Sequence, residues 1–533
     1  MKITLNINNA LWKKGKQFVT QIPEIRGVSL IAMIVSCIAT VYYYFRDQIV
    51  IYGDAESHLD IAKRVADGLT PGAAQLGGIW LPLPHLLMAP LVYFDPLWKT
   101  GLAGSIISGV CFVISSIFLY KLVYLITKNS WAAFIAFLVF AFNPNILYMQ
   151  ATPMTELPLI IFFILSSYFF VKYIYQENDY FSLILAGIFG FCATLSRYDG
   201  WFLVGIEFGI LILRYIFYRK LWVRMQGRVI LFSTVAFFGI LLWLAWDFLI
   251  LGDPLYFTHS QFSANAQQHG WLAKHQLPAY HDILASIQYY TVTAMSNIGI
   301  LLFVIAVIGF ITFLIQKRKH KEHVFIALLM LTPYIFYVLT LFIGQSIIFI
   351  PDITPIGFEW RLFNVRYGIM MVPFAALFVG YLFSVAKTSA RILLIGLLFF
   401  QFVLFGIGYS RVISLADGTS GLSQAKRPDA ESWLAKHYDH GLILLDDYSR
   451  ITSIIRSNLP MRNVIYIGSK PYWADSLKAP EKDATWIVMQ RNDEVWVSIY
   501  ENPAMQGRLY KYFRKVYTSP EILIFKRNNV PVR

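Results

Sequence analysis

Residues 28–45 read VSLIAMIVSCIATVYYYF, an uncharged and almost wholly apolar run that decides the class of fold. An α-helix of about 20 apolar residues spans the hydrocarbon core of a bilayer. Similar runs recur along the chain, and we count about eleven of them. The predicted membrane helices are 28–45, 103–126, 132–149, 156–174, 181–196, 200–217, 229–250, 296–316, 324–346, 367–386 and 392–412. The sequence therefore predicts an all-α polytopic membrane protein.

The composition of the chain agrees with a membrane location. Of its 533 residues, 57% are hydrophobic and 14% are charged, and the mean hydropathy is +0.56. Soluble domains contain about 25% charged residues. Cys37, Cys111 and Cys192 each lie in an apolar run, so we expect neither a disulfide framework nor a zinc site of cysteines.

The basic residues are divided unequally between the two sides of the predicted membrane region. If the N-terminus is cytoplasmic, the cytoplasmic segments carry a net charge of +15, the opposite side through residue 416 carries −5, and the tail carries +4. Because Lys and Arg concentrate on the cytoplasmic side, this distribution supports that orientation. The overall charge of +14 then reflects topology in a plasma membrane and indicates no nucleic-acid partner.

The chain is predicted to have two parts. Residues 1–416 form the membrane region, with two long external loops at 46–101 and 251–296. Residues 417–533 combine a helix-like stretch with short apolar runs that resemble strands, at 442–445, 464–467, 486–489 and 522–525. Strands that alternate with helical segments indicate an α/β unit. We therefore expect a small C-terminal extracytoplasmic α/β domain.

Ionisable side chains are concentrated in the first external loop. It opens with YGDAESH at residues 52–58, which leads into an amphipathic helix. His85 lies further along, in an apolar segment broken by prolines that is typical of the membrane interface. Asp54, Glu56, His58 and His85 are thus candidates for a carboxylate and histidine site. The alternative is that Asp54 caps the helix and His85 is structural.

The start of the chain resembles a known family. In this region, a first membrane helix is followed at once by an external aspartate and then by the Ile-Ala-Lys-Arg sequence of residues 61–64. It is similar to the dolichyl-phosphate-mannose protein mannosyltransferase superfamily, whose bacterial members include the aminoarabinose transferases of lipid A. The resemblance runs through about residue 412 and implies a GT-C fold with an external active site. It carries over Asp54 as the catalytic residue. Many relatives have two consecutive acids here, whereas Ala55 follows Asp54 in this chain.

Three further external segments resemble parts of the same family. They are NPNILYMQATPMTELP at 143–158, SRYDGW at 196–201 and RLFNVRYG at 361–368. The resemblance implies that the substrate is bound by five residues of these segments: Glu156, Arg197, Tyr198, Arg366 and Tyr367. His85 is added as a substrate-binding candidate because it lies in the same loop as Asp54.

Each of the charged residues in these segments also has a purely structural interpretation. Glu156 suits the N-terminus of a helix. Arg197 could pair with Asp199 beside it, and Arg366 could extend its charged end to the membrane surface. In the functional interpretation, the two arginines grip a phosphate through paired N–H groups.

The resemblance implies a glycosyltransferase that moves a sugar from a polyprenyl-phosphate donor to an external glycan, lipid or protein acceptor, with inversion. Asp54 would take the acceptor proton, and Arg366 and Arg197 would stabilise the leaving phosphate. A divalent metal ion held by Asp54, Glu56 and His58 stays open, and no other cofactor is predicted.

Two other classes of membrane protein remain as alternatives. The first is a polytopic transporter or flippase, and the second is a receptor that binds a ligand through its external tail. Transporters place their sites near the membrane midplane. Glu207 is the only carboxylate deep within a predicted span, and we do not assign it to the external site. The sequence therefore favours the enzyme.

Overall fold

The structure is a computed structural model, and it describes residues 23–217, 222–261, 263–316, 322–446 and 452–528. Several basic residues that support the predicted orientation lie outside these ranges, including Lys13, Lys14, Lys16 and the run at 317–321. The orientation therefore stays a prediction.

Apolar helices form the first half of the chain, and amphipathic or short helices connect them. The helices up to the second long loop are α1 (Pro23–Tyr44), α2 (Gly53–Asp67), α3 (Leu83–Val92), α4 (Asp95–Lys99), α5 (Leu102–Thr127), α6 (Ser130–Ala141), α7 (Pro144–Met149), α8 (Glu156–Tyr175), α9 (Tyr180–Thr194), α10 (Asp199–Phe217), α11 (Trp222–Ala236) and α12 (Phe238–Leu251). A 3-10 turn covers Ala73–Leu76 in the first loop.

The second half of the membrane region begins with short helices and continues with long apolar ones. They are α13 (Tyr256–His259), α14 (Ala264–Ala273), α15 (Ile283–Ile298), α16 (Ile300–Gln316), α17 (Glu322–Met330), α18 (Thr332–Phe342), α19 (Val372–Val385), α20 (Thr388–Gly406) and α21 (Ile413–Ser420). A 3-10 helix, Val365–Met371, leads into α19.

The prediction of a polytopic all-α membrane protein is confirmed, although the number of spans differs. Within the described ranges, six helices are long and apolar enough to cross a membrane, or up to eight if each of two bent pairs is one span. The predicted span 132–149 is divided because Asn143 caps a new helix by accepting hydrogen bonds from the backbone of Asn145 and Ile146. The predicted span 181–196 coincides with α9, which has only 15 residues.

Helix α15 occupies a region that we predicted as part of the external loop 251–296. Its polar residues, among them Gln288 and Asn297, hid the helix from a hydropathy argument. It meets α16 at an angle of 111°. The bend lies at Gly299, where φ is +93° and an added Cβ would approach Gln401 to 2.6 Å, so a larger residue cannot occupy this position without displacing its neighbour.

A five-stranded mixed sheet forms the core of the C-terminal part and confirms the predicted α/β character. The strands are β1 (Ile443–Leu445), β2 (Val464–Ile465), β3 (Trp486–Gln490), β4 (Phe513–Thr518) and β5 (Ile522–Arg527), in the order β2-β1-β3-β5-β4. Strand β1 is parallel to β2 and β3, whereas β5 is antiparallel to β3 and β4. Four α-helices accompany the sheet: α22 (Asp429–His437), α23 (Tyr472–Lys478), α24 (Pro480–Asp483) and α25 (Pro503–Tyr512).

One hydrophobic core joins the first loop to this sheet. Leu59 of α2, Met88 of α3 and Trp98 of α4 share a buried cluster with Ile443 and Val488 of the strands. The first loop is therefore held between the membrane helices and the C-terminal sheet. This packing fixes the position of the start of α2, where Asp54 lies.

Candidate functional site

Asp54 lies in the first turn of α2, and a distant segment of the chain holds this turn in place. The backbone N–H of Gly53 donates to the carbonyl of Ser423 at 3.0 Å, and Tyr52 forms an antiparallel bridge with Gln424. A carboxylate in this position is favoured by the helix dipole. The Asp54 side chain is 37% exposed, so it remains accessible from outside the protein.

Arg366 joins Asp54 to two other parts of the chain. Its Nη2 donates to Asp54 Oδ2 at 2.7 Å, its Nε donates to Glu156 Oε1 at 3.1 Å, and its Nη1 donates to Ser423 Oγ at 3.2 Å. The same Nη1 lies 3.8 Å from Asp417 Oδ2. The rigid guanidinium fork suits several acceptors in one plane. One arginine, itself buried, thus organises three segments.

Arg197 contacts the same Glu156 oxygen from the other side. Its Nη1 lies 3.2 Å from Glu156 Oε1 and donates to Thr155 Oγ1 at 3.0 Å. Its Nε is 3.6 Å from Asp199 Oδ1, so the local pair that we considered as an alternative also forms. Tyr337 completes this group, because its hydroxyl donates to Asp199 Oδ2 at 2.6 Å and accepts from Arg197 Nη2 at 3.3 Å.

Tyr367 lies against both arginines. The centroid of its ring is 5.1 Å from the Cζ of Arg366 and 5.2 Å from the Cζ of Arg197, which is within cation–π distance. The ring also stacks on Tyr337 with centroids 5.1 Å apart. The predicted residues Asp54, Glu156, Arg197, Arg366 and Tyr367 are therefore brought together in one cluster.

Asp417 belongs to this cluster, and our sequence reasoning missed it. Its side chain is fully buried, and burial raises its pKa to about 6, although the charge of Arg366 acts in the opposite direction. The residue lies in α21, which packs beside α7 through hydrogen bonds from Ser414 to Asn145 Oδ1. The available signal was weak: Asp417 is the first acid after the last predicted span.

Tyr198 lies apart from the charged cluster and connects the two long loops. Its hydroxyl donates to the carbonyl of Ile79 at 2.8 Å, and its ring stacks on Phe257 with centroids 5.0 Å apart. The contact holds the segment around Ile79 and Trp80, which itself lines the cavity described below.

His85 lies in α3 of the first loop and is fully buried. Its Nε2 lies 2.9 Å from the Nδ1 of His58, and the His58 ring packs 4.6 Å from the ring of Trp80. Burial lowers the pKa of His85 to about 3, so this ring is neutral near neutral pH. The geometry makes the histidine pair a support for Trp80.

The three predicted metal ligands have different partners. Asp54 pairs with Arg366, Glu56 accepts a hydrogen bond from Ser453 Oγ, and His58 faces His85. In the portion of the chain that the structure describes, no group of three His, Cys, Asp or Glu side chains is placed to hold a metal ion. Asp54, Glu56 and His58 therefore do not fit the shared metal-ligand set that the sequence left open.

A cavity of about 580 Å³ opens beside Asp54. Its volume falls within the range of about 300–1,000 Å³ that is usual for small-molecule sites. The cavity is lined by segments of both long loops, by the stretch before α19 and by the C-terminal sheet. The lining includes Asp54, Glu56, Trp80, Gln268, Trp271, Asn364, Tyr367, Ser423, Lys426, Thr452 and Gln490.

Comparison with known protein families matches the central part of the membrane region. Residues 97–246 match the family described as dolichyl-phosphate-mannose-protein mannosyltransferase. This segment includes Glu156, Arg197 and Tyr198, whereas Asp54 and Arg366 lie outside it. No curated protein sequence matches the chain.

Similarity to solved structures extends over nearly the whole chain. One similar structure is that of ArnT from Cupriavidus metallidurans bound to undecaprenyl phosphate. The aligned region covers 94% of this chain and 97% of the ArnT chain, with 12% sequence identity and a TM-score of 0.56. The apo state of the same protein is 12% identical, with coverages of 92% and 97% and a TM-score of 0.51. This chain has a GT-C fold.

The resemblance to the mannosyltransferase superfamily that we inferred from the sequence is thereby confirmed. The archaeal oligosaccharyltransferase AglB from Archaeoglobus fulgidus is 11% identical, with coverages of 96% of this chain and 75% of its own and a TM-score of 0.48. In the GT-C fold of this chain, the charged cluster lies where the membrane helices meet the first turn of α2.

Proposed function

We propose that this protein is a membrane glycosyltransferase that moves a sugar from a polyprenyl-phosphate donor to an acceptor on the extracytoplasmic side. The observation that carries the proposal is the single guanidinium of Arg366, which holds Asp54 at the wall of a 580 Å³ cavity. The fold and the matched family segment support the same class of enzyme.

Asp54 is the proposed general base. An acceptor hydroxyl becomes an effective nucleophile only when a nearby group takes its proton. The Asp54 carboxylate lines the cavity and is partly exposed, so a hydroxyl can reach it. Arg366 fixes the orientation of this carboxylate through Oδ2. A direct displacement assisted by one base would invert the anomeric centre.

The leaving phosphate needs positive charge at the cavity. The cluster contains four carboxylates and two guanidinium groups, from Asp54, Glu156, Asp199, Asp417, Arg197 and Arg366. The cluster itself therefore carries a net negative charge. Lys426 is exposed and lines the cavity, and we propose that its ammonium group supplies the first contact to the donor phosphate. Arg366 and Arg197 would then stabilise the developing negative charge from beneath.

The test is a transfer assay with purified protein. A panel of radiolabelled polyprenyl-phosphate sugars is incubated with the protein and with membranes as a source of acceptors. We expect one donor to release free polyprenyl phosphate as labelled product appears. The Asp54→Asn variant should transfer about 10²–10⁴-fold more slowly, because it loses the base.

Asp67→Asn is the matched control, since Asp67 lies in the same helix but at its other end, where it pairs with Lys63. We expect this variant to retain the wild-type rate. Full transfer by a folded Asp54→Asn protein would contradict the proposed role of Asp54.

A further inference from the structure

Ser453 binds two carboxylates that belong to distant parts of the chain. Its backbone N–H donates to Glu431 Oε1 at 2.9 Å, and its hydroxyl donates to Glu56 Oε1. Glu431 lies in α22 of the C-terminal part, whereas Glu56 lies in α2 of the first loop. The Ser453 Oγ also accepts from the backbone N–H of Arg456 at 3.0 Å, which fixes its position. One serine therefore joins the first loop to the C-terminal part through two acids.

This bridge lies in the wall of the proposed reaction site. Glu56 and Ser453 both line the 580 Å³ cavity that contains Asp54. Glu56 also lines a second cavity of about 530 Å³, which is bounded by the end of α1, by α4 and by segments of the C-terminal part. The bridge thus separates two cavities, and its strength determines how firmly residues 452–457 are held against α2.

The two acids of the bridge disfavour each other when both are charged, because like charges at one site repel. Glu431 is only 4% exposed. Burial raises its pKa to about 7, and the charge of Glu56 acts in the same direction. The N–H of Ser453 and the cations Arg456 and Arg427 act in the opposite direction, but they do not restore the usual value of 4.5. Among the residues that the structure describes, these are the charged groups that face Glu431.

We propose that the bridge of Glu56, Ser453 and Glu431 is a proton-dependent latch that holds the C-terminal part against the first loop. The latch is closed while Glu431 carries a proton, since only one of the two carboxylates is then charged. Release of this proton to solvent places two negative charges on one serine and weakens the contact. The latch is a property of this contact and does not require the proposed glycosyl transfer.

The direction of the pH dependence follows from the raised pKa of Glu431. Its contribution to the closed latch is fully present below about pH 4.5 and is lost as the pH rises through about 7. Opening the latch returns Glu431 to solvent and to its usual pKa. Between pH 6 and pH 8, the equilibrium between the closed and open latch should therefore shift about tenfold towards the open state.

The experiment is hydrogen–deuterium exchange of the purified full-length protein in detergent at pH 6 and pH 8, with rates corrected for the intrinsic pH dependence of exchange. Peptides within 452–459 report on the latch, because the amide of Ser453 is itself the donor to Glu431. We expect their protection to fall about tenfold from pH 6 to pH 8, as local opening becomes more frequent. Peptides from β5, whose amides bond within the sheet, should keep their protection.

Three variants separate the latch from a general effect of pH. Glu431→Gln keeps the oxygen that accepts from Ser453 and cannot ionise, so its protection should be the same at both pH values. Glu56→Gln removes the neighbouring charge and should reduce the fall in protection. Asp429→Asn is the matched control, since it removes an exposed carboxylate from the first turn of the same helix. It should show the full tenfold fall.

Equal protection of the wild type at pH 6 and pH 8, or a tenfold fall in Glu431→Gln, would overturn the proposal. If Glu431→Gln does not fold, Glu56→Gln decides, because an undiminished fall in that variant would overturn it as well. No donor or acceptor is present in this measurement. A pH-dependent latch in a protein that transfers no sugar would refute only the proposed reaction, and constant protection in an active protein would refute only the latch.

Discussion

Arg366 Nη2 donates a hydrogen bond of 2.7 Å to Asp54 Oδ2 across 312 positions of the sequence. The same guanidinium bonds to Glu156, whose side chain is fully buried. Removing one member of a buried ion pair leaves an uncompensated charge, which costs about 3–5 kcal/mol. The stability of the cluster and the orientation of Asp54 therefore depend on one side chain.

We predict that Arg366→Met lowers the free energy of unfolding by about 3–5 kcal/mol, because Glu156 and Asp417 lose their shared partner. Thermal unfolding in detergent measures the effect. The double variant Arg366→Met/Glu156→Gln should recover part of the loss, since the buried charge is removed with its partner. If the double variant is less stable than Arg366→Met, the ion pair is not the cause.

Tyr337→Phe tests the second arginine. The Tyr337 hydroxyl donates to Asp199 Oδ2 and accepts from Arg197. Its removal leaves a buried carboxylate oxygen with one fewer donor, and we expect a loss of about 1–3 kcal/mol. Tyr334→Phe on the same helix is the control, because its hydroxyl bonds only to that of Thr291 among the contacts seen. A larger loss of stability in Tyr334→Phe than in Tyr337→Phe would contradict this prediction.

From the raised pKa of Asp417, we predict that the stability of the protein depends on pH. Its pKa is raised to about 6 in the folded protein, above the usual 3.8, because burial penalises the charged form. The stabilising contribution of this group is therefore fully present below about pH 4 and is lost as the pH rises through about 6. The full difference corresponds to about 3 kcal/mol.

The measurement compares the wild type with Asp417→Asn at several pH values between 4 and 8. Asparagine does not ionise, so the difference in unfolding temperature should shift in favour of the variant as the pH rises. A difference that is constant over this range would contradict the raised pKa.

From the lowered pKa of His85, we predict the opposite dependence of stability on pH. Burial lowers its pKa to about 3 in the folded protein, below its usual 6.5. The contribution of neutral His85 to stability is thus present above about pH 6.5 and is lost as the pH falls towards 3. His85→Asn should flatten the acid side of the stability profile. An unchanged acid side in the variant would show that His85 does not control it.

The topology can be tested by labelling intact cells. In a background without Cys37, Cys111 and Cys192, a cysteine is introduced by Glu521→Cys or by Gln176→Cys, both at exposed positions. We expect a membrane-impermeant maleimide to label the first variant and not the second. The reverse pattern would invert the predicted orientation.

The sequence predicted the helical class well because long apolar runs are a direct consequence of the membrane environment. It did not predict where helices break. Asn143 and Gly299 each interrupt an apolar region, and a hydropathy average does not register a capping side chain or a positive φ. Helix α15 was missed for a related reason, since its polar residues point to partners within the protein, such as Asn297 to the carbonyl of Val365.

The candidate site was predictable in part. Resemblance to a family indicated Asp54, Glu156, Arg197 and Arg366, and the structure places them in one cluster. It could not indicate Asp417 or Lys426, because their role depends on how α21 and the following segment fold back onto the membrane helices. The two cavities likewise arise only from the tertiary packing of the first loop against the C-terminal sheet.

The contact between residues 54 and 366, with residue 417 beside it, joins segments that are synthesised far apart in time. In the order of synthesis, Glu156 of α8 is followed first by Arg197, which pairs with it in the folded protein. Arg366 is synthesised only after α18, and Asp417 follows after α20. The charged cluster is therefore complete only when the chain has been synthesised through α21.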